Sequence, residues 1–173
     1  MRYAIFGAIA LALFSCGTQL PEIGSAREER EAPPELQELS WLVGNWTDQS
    51  DLVDVDISWD WDEDMHFLQQ QFSVLGEDDK VFTGRQILGW DPRGKEIRSW
   101  IFDSSGGFGQ SEWHKEGNDW YAETIYTIAD GKRATATHVY RKVDDNSYTF
   151  SSESRDIDGQ LMPNMGPFKM VRS

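Results

Sequence analysis

The sequence predicts an all-β fold, an antiparallel up-and-down β-barrel preceded by a short helix. Three observations predict it. Apolar and polar residues alternate with a period of two along much of the chain, as in Val53-Asp54-Val55-Asp56-Ile57-Ser58-Trp59-Asp60-Trp61-Asp62. Turn-forming residues recur at short intervals with no helical segment between them. Rings are abundant, with 8 Trp, 9 Phe and 5 Tyr among 173 residues. Alternation places successive side chains on opposite faces of a half-buried strand, whereas a helix would scatter them. Short strands joined by tight turns pair with their sequence neighbours. About nine or ten of them suggest a closed or nearly closed barrel, because closure removes exposed edges. A two-sheet sandwich is the alternative. The rings supply the apolar mass that a thin-walled β-structure needs, about 2–3 kcal/mol of transfer free energy for each one buried.

The elements follow in order. Residues 1–15 hold Arg2, an apolar run of roughly a dozen residues and a small residue at Ser15. That is the form of a secretory signal peptide, and it is shorter than the ~20 residues a spanning helix needs. Leu13-Phe14-Ser15-Cys16 resembles the lipobox of bacterial lipoproteins. The resemblance implies that Cys16, the one cysteine in the chain, carries lipid and becomes the mature N-terminus. The same resemblance implies, from Gly17 after it, sorting to an outer membrane facing the periplasm. Residues 16–34 read as the lipidated cysteine and a polar, flexible spacer ending in Pro33-Pro34. The barrel domain is expected over 35–173. Leu36, Leu39 and Leu42 lie three apart behind the prolines, which suggests a short helix of two turns ended by Gly44. Beyond the Val53 stretch, strands are expected over 65–75, 80–90, 96–103, 107–115, 119–128, 133–143, 147–156 and 168–172. The turns between them include Gly76-Glu77-Asp78-Asp79, Asp91-Pro92-Arg93-Gly94, Glu116-Gly117-Asn118 and Asp158-Gly159.

A formal net charge of −14 argues against nucleic acid as a partner and against docking to anionic lipid by charge. Membrane contact is expected through the anchor at Cys16 alone. His66, His114 and His138 lie on separate elements without ligand spacing, so no metal is expected. The acid clusters lack the EF-hand spacing. Gly106-Gly107-Phe108-Gly109 lacks the Lys and helix of a phosphate loop, and no Gly-x-Ser-x-Gly elbow is present.

Leu39-Ser40-Trp41-Leu42-Val43-Gly44-Asn45-Trp46 resembles the opening of lipocalin-like barrels, in which a short helix leads to Gly-x-Trp at the first strand. Gly89-Trp90-Asp91-Pro92, residues 97–104, Gly106-Gly107-Phe108-Gly109, Gly117-Asn118-Asp119-Trp120 and Arg155-Asp156-Ile157-Asp158-Gly159 extend the match. Together they resemble a bacterial lipocalin-like (calycin-type) domain, the kind often fused to SnoaL-like domains, here behind a lipoprotein signal. The resemblance covers about residue 39 to the C-terminus. It implies that Trp46 packs at the closed end of the barrel under Arg172 of the last strand, a structural pair. Nitrobindin-like barrels hold haem through a histidine, for which His138 would be the position to test. The small neighbours Ala134 and Ala136 read instead as room for Trp rings, and no cofactor is expected.

Arg85, Arg98, Arg141 and Arg155 sit within expected strands, either as surface partners of the many acids or as polar anchors in a pocket. The pocket candidates are Arg98, Trp100, Trp120, His138 and Tyr140. The function expected is a cell-envelope lipoprotein binding a small apolar ligand. The alternatives are a non-catalytic envelope interaction module and an auxiliary isomerase or hydrolase, which would need an acid–base pair that spacing does not reveal. No catalytic residue is assigned.

Overall fold

A computed structural model describes residues 30–48, 54–75 and 81–173. The signal-like segment, Cys16 and residues 17–29 of the spacer lie outside these, as do Val53 and the turn Gly76-Glu77-Asp78-Asp79 with Lys80. Among the described residues no helix is long and apolar enough to cross a membrane.

The expected two-turn helix is split in two. Helix α1 covers Pro34–Gln37, with proline at its first position, and a 3₁₀ turn covers Ser40–Leu42. The leucine spacing explains the split. Three residues per turn align Leu36, Leu39 and Leu42 on one side, where a continuous α-helix of 3.6 would rotate the third away. All three are fully buried.

Eleven strands follow among the described residues: β1 Gly44–Asp48, β2 Asp54–Trp61, β3 Phe67–Leu75, β4 Val81–Asp91, β5 Glu96–Asp103, β6 Phe108–Glu116, β7 Asp119–Thr127, β8 Arg133–Lys142, β9 Ser147–Ile157, β10 Gln160–Leu161 and β11 Met165–Arg172. β1 to β9 pair antiparallel in sequence order. β9 then pairs with β11, and β11 with β1, which closes a ring of ten strands. β10, absent from the expected strands, is a two-residue return on β9. The barrel is therefore closed rather than split into a sandwich.

The alternation in β2 resolves as expected. Trp59 is fully buried, with Val55, Ile57 and Trp61 packed on the core, while Asp54, Asp56 and Asp60 face solvent. One end of the barrel is solid. The three leucines press onto Trp46, Trp59, Leu68, Leu88, Trp113 and Trp120. The Trp46 indole Nε1 donates to the Leu42 carbonyl at 2.7 Å, tying the first strand to the 3₁₀ turn. Lys115 lies 5.6 Å over the Trp120 ring and pairs with Glu38 at 2.8 Å, so β6 is tied to the chain after α1.

Trp46 pairs with Arg172 in register, and the guanidinium lies 4.2 Å from the indole centroid. Arg172 also donates to the carbonyls of Val43 at 2.7 Å and Trp41 at 3.3 Å. One side chain thus joins the last strand, the first strand and the segment that covers the barrel's end. Gly44 makes room for it: a Cβ there would fall 2.2 Å from Arg172 Nη1, and φ is +126°. Replacing Trp46 by Ala should cost about 3–5 kcal/mol of unfolding free energy. Arg172→Ala should cost about 1 kcal/mol, because the guanidinium is exposed. Urea melts followed by Trp fluorescence measure both; a wild-type midpoint for Trp46→Ala would remove the closing role assigned to it.

Candidate functional site

The other half of the barrel is hollow. An inner chamber of about 250 Å³ is walled chiefly by Val55, Ile57, Phe72, Ile101, Phe150 and Phe168. A mouth of about 650 Å³ adjoins it, and Phe72, Ile101 and His138 line both spaces. Ten strands give a lumen wider than the roughly eight-stranded barrels whose interiors side chains fill. Short residues keep it open. Gly84 lies under the Phe72 ring, and a Cβ there would meet Phe72 Cζ at 2.1 Å. Ala134 and Ala136 line the mouth, so they leave room for a lumen rather than for Trp rings.

Polar side chains are interleaved with these walls and divide into two groups. On the β4–β7 side they satisfy one another. The Ser99 hydroxyl accepts from Gln86 Nε2 at 2.8 Å and from Trp113 Nε1 at 2.9 Å. Ser111 and Thr124 share a hydroxyl bond of 2.8 Å. On the opposite side the polar groups lack such partners. Gln70 and Tyr148 are buried and line the inner chamber together with His138 and Tyr140. The two tyrosine rings lie 6.3 Å apart, and His138 meets the edge of Phe150 at 5.5 Å.

Burial keeps these groups neutral. It pushes His138 down to about 4, helped by the Arg155 charge. It raises both phenols: that of Tyr140 beside Tyr148, and that of Tyr148 despite the Trp59 indole N–H, which favours the charged form. The mouth carries the charges, with Asp103, Asp130, Asp156 and Arg155 among its lining residues. Tyr126 donates to the Asp103 carboxylate there. Burial and that bond raise the phenol; against its own burial, the same bond with the N–H groups of Gly107 and Ser105 holds the carboxylate below its usual range.

The pocket residues expected from sequence separate. His138 and Tyr140 face the lumen. Trp120 is buried in the solid end. Arg98 and Trp100 are outside the lumen, where both line a groove of about 360 Å³ on the outer face, apart from the chamber. Arg98 binds Glu96 at 2.6 Å and Glu112 at 3.2 Å across the outer face, the surface-partner arrangement, and Trp100 is 40% exposed. The strand face decides this. On β5 the inward residues are Ile97, Ser99 and Ile101, so the intervening Arg98 and Trp100 point away. Arg155 is at the mouth, donating to the Pro163 carbonyl at 2.8 Å.

Gln70 and Tyr148 were missed, yet Gln70 had a legible signal. It sits between Leu68 and Phe72 on the apolar side of an alternating strand, where a polar residue needs a reason. His114 stacks on Tyr121 at 5.3 Å on the surface, and His66 is exposed. Among the described residues no group of three or more His, Cys, Asp or Glu is placed to hold a metal. No protein-family model matches the chain, and no curated protein gives a significant match.

The half-buried His138, desolvated among the chamber walls, makes stability depend on pH. The unfolded chain takes up a proton near 6.5 and the folded chain only near 4. Stability is therefore fully present above pH 6.5 and falls as pH drops toward 4, by at most about 3 kcal/mol. His138→Gln should flatten that part of the profile. The lowered carboxylates Asp103 and Asp119 lose their contribution only below about pH 4. Equal slopes for both proteins between pH 6.5 and 4 would contradict the neutral, desolvated imidazole.

Proposed function

We propose that this chain is a lipid-anchored envelope protein whose barrel takes a small, largely apolar molecule into its lumen. The observation that supports it most is the inner chamber, with largely apolar walls and an adjoining open mouth that shares Phe72, Ile101 and His138 with it. The chamber alone is just under the roughly 300–1,000 Å³ typical of ligand sites, and the mouth supplies the remainder. Export and anchoring rest on the signal-like segment and Cys16. The lipocalin-like opening at Gly44-Asn45-Trp46 agrees with a carrier or receptor role. A catalytic reading lacks support from the chamber, whose described lining residues include no carboxylate to pair with His138.

A second reading has its own observation. Trp100, Phe102, Phe108 and Ile125 stand 40–54% exposed on the outer face of β5–β7, a patch suited to an envelope partner.

Uptake is measurable with N-phenyl-1-naphthylamine, an uncharged dye that brightens in apolar surroundings. The protein should bind it in the micromolar range. Ala136→Trp, which fills the mouth, should weaken binding at least tenfold with an unchanged melting temperature. Binding indifferent to that substitution would move the dye to the outer patch and favour the second reading. Anchoring is tested by Cys16→Ser, which should shift the protein from the membrane fraction to the soluble one and abolish incorporation of labelled palmitate. Unchanged fractionation and labelling would refute the anchor.

A further inference from the structure

Buried polar groups in folded proteins are nearly always hydrogen-bonded, and each exception needs an explanation. On this chamber the Tyr148 hydroxyl falls short of that rule. That hydroxyl is fully buried and finds no partner of ordinary geometry, and the polar side chains of Gln70, His138 and Tyr140 line the same space. The Trp59 indole N–H beside it is a donor, which leaves the hydroxyl hydrogen without an acceptor. The contrast with Gln86, anchored on Ser99, shows that the same interior can satisfy an amide. Leaving a buried polar group unpaired costs about 1–3 kcal/mol, and phenylalanine or leucine would fill the same walls without that cost. The polar groups therefore mark a place where something else supplies the partners.

Their chemistry defines what. The tyrosine hydroxyls and the Gln70 amide all offer hydrogens, and they lie below His138, which stands where chamber and mouth join. No Lys, Arg, Asp or Glu is among the described residues lining the chamber, whereas four charged residues line the mouth. A carboxylate carried to the floor would be buried without a counter-charge, which is strongly unfavourable. A pure hydrocarbon would leave the orphan Tyr148 hydroxyl as it is. Resting on the lumen reading above, we propose that the ligand is an uncharged apolar molecule whose leading end bears a hydrogen-bond acceptor such as a ketone, ester or amide carbonyl. The Tyr148 and Tyr140 hydroxyls and the Gln70 amide receive that acceptor, while its apolar body lies along Phe72, Ile101 and Phe150.

Displacement of N-phenyl-1-naphthylamine by three probes of equal chain length tests this: 2-nonanone, n-nonane and nonanoate at pH 8. The ketone should displace the dye at a concentration at least tenfold below the alkane, and nonanoate should be weakest. Tyr148→Phe keeps the ring and removes the orphan hydroxyl. It should bring ketone and alkane within about twofold of each other while leaving nonane affinity and melting temperature unchanged or raised. Equal binding of ketone and alkane to the wild type, or nonanoate as the best probe, overturns the acceptor-first inference and leaves the lumen reading standing. Failure of the dye and all three probes to bind, checked by calorimetry, overturns both.

Discussion

The pairing of β1 with β11 is the constraint on which the remaining structure depends. Without it the sheet would end in two strands with unpaired backbone groups, open to other chains. With it, ten strands form a ring and the diameter is set. Arg172 sits at that seam, over the Trp46 indole and beneath the carbonyls of Trp41 and Val43. The segment that covers the end is thereby held by the contact that closes the wall. Gly44 is the residue through which both pass, since its backbone turns where the guanidinium must lie.

A ring of this width is more than its side chains can fill, and the chain divides the surplus unevenly. The largest rings and three leucines go to one end: Trp46, Trp59, Trp113 and Trp120 pack there beneath Leu36, Leu39 and Leu42. The other end keeps small residues, with Gly84, Ala134 and Ala136 facing inward. The solid half supplies most of the buried apolar surface, so the hollow half can hold polar groups that packing alone would disfavour. Charge is sorted along the same axis. Acids and arginines stay on the wall's outer face and at the mouth, while the described lining of the chamber is uncharged.

Much of the fold was legible. Period-two alternation located β2 within a residue, and turn chemistry separated β4, β5, β7 and β8 close to their observed ends. The seam pair Trp46 and Arg172 followed from the lipocalin-like opening. The chamber was legible only in part. His138 and Tyr140 came from small neighbours on one strand, whereas Arg98 and Trp100 came from reading a strand arginine beside rings as a polar anchor in a pocket. On β5 the reverse holds. The inner row includes Ser99 and ends at Asp103, and the outer row carries Trp100 and Phe102. Ser99 is acceptable inside because Gln86 and Trp113, brought from neighbouring strands, bond its hydroxyl. No property of β5 read alone contains those partners.

What the sequence determined by itself was local: which segments extend, where they turn, and that alternate residues part to opposite faces. These follow from backbone geometry and side-chain period, which act over a few residues. Which face looks inward, where the interior is filled and where it is left open were decided by tertiary structure. Those outcomes depend on register between strands distant in sequence and on whether a polar atom meets a partner from another strand. Gln70 and Tyr148 show the difference: two ordinary strand residues along the chain, they become buried polar walls of one chamber only when the closed ring sets them around it.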